Sequence, residues 1–111
     1  MKTWINPSSR ELHIFKAIHQ VVKKHTKIID YMFDPKNHRL CADPKDILYE
    51  AGILSSSEFL LLQVALDMWS ASGNTQIYDL LVNLDEENFI NVLNGLLLLR
   101  NSNYRVQNLK E

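Results

Sequence analysis

Apolar positions fall at helical spacing in several blocks, and each block follows residues that start helices well. Ser8-Ser9-Arg10-Glu11 has capping-box spacing, with the acid three residues after the serine. Leu12, Phe15, Ile18, Val22, Ile28 and Ile29 then recur at helical intervals, and Lys16, Lys23 and Lys27 fall on the other face. The pattern predicts one long first helix ending between Ile29 and Phe33, ahead of Asp34-Pro35. Asp34 to Ala42 is aperiodic and reads as a connector, with Arg39-Leu40-Cys41-Ala42 as a brief extended piece.

Asp43-Pro44-Lys45-Asp46 supplies a cap and a first-turn proline for a short helix that uses Ile47, Leu48 and Ala51 and stops at Gly52. Ser55-Ser56-Ser57-Glu58 repeats the capping-box spacing and opens a helix from Ser56 to about Ala71. Phe59 to Trp69 is apolar on most sides, apart from a narrow polar strip at Gln63, Asp67 and Ser70. Such a helix belongs at the centre of a bundle. Gly73-Asn74 is its expected end, followed by a helix from Thr75 to about Val82. Asp85-Glu86-Glu87 places negative charge at the start of a last helix, which Phe89, Ile90, Val92, Leu93, Leu96, Leu97 and Leu99 carry to Arg100. The expectation is an all-α fold, a compact bundle of four or five helices in one domain over residues 1–111. Residues 1–7 and 101–111 are read as loose ends.

Composition and charge refine this picture. Hydrophobic residues make up 46% and charged residues 23%, a globular balance, and 3 Gly with 3 Pro leave room for long helices. The single cysteine, Cys41, excludes an internal disulfide and fits a reducing compartment. Met1 to Pro7 lacks the apolar core of a signal peptide, and the longest strictly apolar runs are Phe59 to Leu62 and Leu96 to Leu99. Both fall far below the ~20 residues of a membrane span, so the expected location is the cytoplasm, away from membranes. The net charge is -1, with the basic residues concentrated before residue 50 and the acidic ones after it.

The candidate chemistry is sparse. His13, His19 and His25 recur every six residues, a net turn of about 240° on a helix, so their rings diverge and cannot share a metal. His38-x-x-Cys41 gives two ligands where a closed zinc site needs four. Cys41 has no evident supporting group for nucleophilic catalysis, and Ser55 to Ser57 lacks the glycines of a nucleophile elbow. Asp85, Glu86 and Glu87 are adjacent at a helix start, where the dipole explains them better than acid–base chemistry does. Ile47 to Leu66 mimics a helix-turn-helix, but its second helix would offer Phe59, Leu60, Leu61, Leu62 and Val64 to the bases instead of polar groups. No cofactor, metal or catalytic residue is expected.

Leu54-Ser55-Ser56-Ser57-Glu58 with its apolar helix, followed by Leu84-Asp85-Glu86-Glu87-Asn88-Phe89, resembles a pattern in small uncharacterised proteins of Firmicutes and their phages. The resemblance covers residues 54 to 100. It implies a bacterial or phage protein of the cytoplasm and carries no activity with it.

The functional expectation is a non-enzymatic protein–protein interaction module, a homo-oligomer or an inhibitor or regulator of a larger protein. Surplus apolar surface motivates it. Leu97, Leu98 and Leu99 are consecutive and cannot all face one core, and Leu98, Trp69 and Tyr104 are the candidate interface residues. The first alternative is a nucleic-acid-binding transcriptional regulator, with Lys16, Lys23, Lys24 and Lys27 touching phosphates. A second alternative is a phage-encoded inhibitor of a host defence enzyme.

Overall fold

Side-chain caps set where the three longest helices begin. In the computed structural model, which describes residues 8–34 and 39–101, the Ser8 hydroxyl accepts from the Glu11 N–H at 3.1 Å. The Glu11 carboxylate in turn accepts from the Ser8 N–H at 2.8 Å. This box opens α1 (Ser9–Val21). The same reciprocal pair between Ser55 and Glu58 opens α4 (Ser56–Ser70), and Asp85 caps α6 (Glu86–Arg100) through the Asn88 N–H at 2.9 Å. Between them lie α2 (Lys27–Met32), α3 (Pro44–Glu50) with its first-turn proline, a 3-10 turn Ala51–Ile53, and α5 (Ile77–Asn83). The described residues form an all-α fold. Their extended pairing is one antiparallel bridge, Phe33 to Leu40, which closes across the start of the expected connector.

The long first helix is in fact two. α1 ends at Val21, a turn occupies Val22 to Thr26, and α2 resumes at Lys27. The Val22 N–H still closes on the Ile18 carbonyl at 3.0 Å, but the His25 N–H bonds back to the Val22 carbonyl at 2.7 Å, a tighter turn than α-helix allows. The cause is local polarity. Five polar residues, Lys23-Lys24-His25-Thr26-Lys27, separate the buried Val22 and Ile28, so no apolar side chain after Val22 holds the turn against the core. Leu12, expected on the covering face, is exposed, while Ile14, Ala17 and Val21 are buried beside Phe15 and Ile18.

The end of α4 also departs from the glycine rule. Ala71 adopts the left-handed conformation at φ 55°, and Gly73 serves a different purpose. A Cβ at Gly73 would collide with the Gln63 carbonyl oxygen and sit 2.7 Å from its carbon, closer than real Cβ contacts, so only glycine lets the turn lie against α4. The polar strip read from the sequence explains the rest. Asp67 accepts from the Gly73 N–H at 2.7 Å and the Thr75 N–H at 3.0 Å, and Gln63 donates to the Gly73 carbonyl at 3.0 Å. Burial pushes the Asp67 carboxyl up, but the hydrogen bonds from the Thr75 and Gly73 turn outweigh it and hold the group below its ordinary value.

Helix α4 is the central helix, with Leu60, Leu61, Leu62, Val64, Ala65 and Leu66 buried and α1, α2, α3 and α5 packed against it. Phe15, Phe33 and Trp69 form an edge-to-face run across the core, with ring centroids 5.4 and 4.9 Å apart. The most extensive helix pairing is α1 with α6. There Gly95 meets Ala17 and Val21, and an added Cβ would lie 2.8 Å from the Ala17 carbonyl oxygen. Among the described residues no helix is long and apolar enough to cross a membrane.

Candidate functional site

Two places concentrate unusual residues, one polar and one apolar. The polar place is the α1–α2 turn. His25 sits between the first turns of α4 and α6, with Nδ1 3.1 Å from a Glu58 carboxylate oxygen and Nε2 3.5 Å from the Asn88 side-chain nitrogen. With the Asn88 amide donating to Nε2, the ring carries its proton on Nδ1 and donates to Glu58. Lys27 reaches the same Glu58 oxygen at 3.1 Å, and Lys24 pairs with Glu87 at 2.5 Å. The Ser55 backbone N–H, then Lys27, hold the Glu58 carboxyl down at about 2. Each carboxylate is satisfied by protein groups, and each contact joins two chain segments. This chemistry fits a tether that pins the turn to two helix starts.

The apolar place is the outer side of α6. The inward face of this helix is Asn88, Asn91, Val92 and Gly95, three of which have little or no apolar side chain. The outward face carries Ile90, Leu93 and Leu97, which are 46%, 44% and 53% exposed. At 100° per residue these three lie within about 60° of one another and opposite Gly95. The usual arrangement of an amphipathic helix is therefore inverted. Close approach to α1 dictates the inner face, since Gly95 leaves room for Ala17 and Val21, and the leucines are turned outward as a result.

Helix α5 extends this surface. None of its residues is buried, and Ile77, Tyr78, Leu81 and Val82 are exposed. Between α4, α5 and α6 runs a groove of about 400 Å³, with Val64, Met68, Leu80, Val92 and Leu99 along its walls and Ile77 and Leu96 also lining it. Asp67 and Thr75, the polar pair that fixes the preceding turn, are its polar lining residues. His25, Glu58 and Asn88 do not line it.

The residues singled out in the sequence are dispersed. Leu98 is 49% exposed, as its place in the leucine run implies, but it is one of several exposed apolar residues of α6. Trp69 is half-buried and packs edge-on against Phe33, which ties it to the core. Tyr104 and His38 lie outside the described residues, as do the two expected loose ends apart from Asn101. All four lysines are exposed, and two of them, Lys24 and Lys27, pair with Glu87 and Glu58. The glutamate beside Lys24 keeps its ammonium above the ordinary value. His13 and His19 stay on α1, away from the His25 contacts. Burial lowers the His19 pKa, and its ring meets Phe15 edge-on at 4.8 Å. Among the described residues no three His, Cys, Asp or Glu side chains converge as a metal would require. The exposed Cys41 thiol donates to the Tyr31 carbonyl at 3.2 Å.

Sequence reasoning misses the inverted face of α6 as a whole. The signal is present in Asn88, Asn91 and Gly95, whose i, i+3, i+7 spacing is that of a helix face, and in Ile90, Leu93 and Leu97, which repeat the same spacing two residues later. Apolar residues are ordinarily taken to face inward, although a glycine on a helix face marks close backbone approach just as well. No family model, no curated protein and no solved structure matches this chain.

Proposed function

We propose that this chain is a non-enzymatic protein–protein interaction module whose docking face is the outer side of α6 together with α5. One observation carries the reading. Ile90, Leu93 and Leu97 project away from the core at i, i+3, i+7 spacing, while asparagine and glycine occupy the inner face. Monomeric soluble proteins rarely leave contiguous apolar surface of this kind uncovered, and helix-on-helix recognition uses this spacing of anchors. The groove beside it supplies the concavity that a partner's side chains enter, and Ile77 and Leu96 make the apolar surface continuous from α6 to α5.

The test compares wild type with the Leu93→Glu, Leu97→Glu double variant in light scattering and in affinity capture. A partner, whether a second copy or another protein, that is retained by wild type and lost by the variant supports the reading, provided both show the same helical circular dichroism. Identical mass and identical capture for the two proteins contradict it.

A further inference from the structure

Resting on that reading, we infer that the occupant of the α6 face is a second copy of this chain, packed antiparallel through α6 about a two-fold axis near Leu93. The outward stripe does not end with its three apolar residues. Glu86 precedes Ile90 by four positions and Arg100 follows Leu97 by three, so the series Glu86, Ile90, Leu93, Leu97, Arg100 steps by four, three, four and three. At 100° per residue all five lie within about 80° on one side of the helix. The seven-residue repeat is that of helices that pack side by side at a shallow angle. Both charged ends are exposed, and among the described residues neither Glu86 nor Arg100 forms an ion pair within its own chain. The neighbouring acid Glu87 is already held by Lys24.

Read in reverse, the stripe is its own complement. Its ends lie about 21 Å apart along the helix. An antiparallel second copy places the Glu86 of each chain against the Arg100 of the other, Ile90 against Leu97, and Leu93 against itself. This is the self-complementary patch that a two-fold dimer needs. A parallel copy brings Glu86 to Glu86 and Arg100 to Arg100, so like charges oppose that alternative. A basic or acidic partner of another kind satisfies only one end of the stripe.

Glu86 and Arg100 also complement the α6 dipole from within one chain, so the test must separate association from helix stability. Sedimentation equilibrium over a concentration series, at low and high salt, is run on wild type, Glu86→Arg, Arg100→Glu, the double exchange, and Leu93→Asp, each checked by circular dichroism. The expected result is a salt-sensitive wild-type dimer. Each single exchange weakens it about tenfold, since two symmetric pairs become like-charged. The double exchange restores dimerisation, although both of its charges now oppose the helix dipole and lower its melting temperature. Leu93→Asp is a folded monomer.

A wild-type monomer at every concentration overturns the self-pairing. Binding of a hydrophobic dye to that monomer, lost in Leu93→Asp, leaves the docking face itself standing. A dimer unaffected by the single exchanges overturns the antiparallel register, and a dimer unaffected by Leu93→Asp overturns the use of this face. A double exchange no better than the singles also counts against it, because the charges then act through α6 alone.

Discussion

Glu58 does more than start a helix. Its carboxylate accepts from the Ser55 N–H, from His25 and from Lys27, so one side chain joins the α4 start to the α1–α2 turn and to α2. Its pKa of about 2 lies below the ordinary 4.5, so the unfolded chain binds the proton more readily than the folded one. The stability it contributes is therefore complete above pH 4.5 and is lost as pH falls toward 2. Glu58→Gln keeps the cap geometry and removes the charge. We expect a loss of about 1–2 kcal/mol at neutral pH, with the wild-type and variant stability curves converging as pH drops through this window. Urea unfolding at a series of pH values measures it, and parallel curves across the window contradict the assignment. The capping role of Glu58 is legible from Ser55-Ser56-Ser57-Glu58 alone. Its link to His25, 33 positions away, is not, because nothing local in the sequence specifies a contact at that separation.

At the scale of the element, caps and breakers in the sequence locate α3, α4 and α6 almost to the residue. They fail at the α1–α2 break and at the α4 end, for two physical reasons. The first is a polar gap, Lys23 to Lys27, that carries no breaker residue and unwinds because none of its side chains is held by the core. The second is a glycine retained for close approach, while the left-handed position falls to Ala71. The α1–α6 contact turns on the same use of glycine. Gly95→Ala removes about 1 kcal/mol of helix penalty, but it drives a methyl toward the Ala17 backbone carbonyl, which cannot rotate away. Overpacking against backbone costs roughly 1–3 kcal/mol, so the net effect expected is destabilisation. It should be larger for Gly95→Leu, and the melting temperatures of the two variants rank them. A stabilised Gly95→Ala variant would mean that α1 and α6 do not approach this closely.

For the whole molecule, the all-α architecture and the buried centre between Leu60 and Leu66 follow from periodicity, because hydrophobic burial is the dominant driving force of folding and leaves the strongest trace in sequence. The direction of α6 does not follow in that way. Its apolar residues outnumber the inward positions, and the contest is decided by the approach of α1 across Gly95, which is a property of the assembled bundle. The proposed docking face is thus a by-product of how the core closes: α6 turns asparagine and glycine inward and leaves Ile90, Leu93 and Leu97 outside. Whether that stripe is open in the isolated chain can be measured directly. Chemical denaturation of Ile90→Gln, Leu93→Gln and Leu97→Gln, at dilutions where each protein is monomeric, should show losses of about 1 kcal/mol or less apiece, as for surface positions. Losses of about 3 kcal/mol or more at all three would mean that these side chains are core residues, and the docking face would not exist.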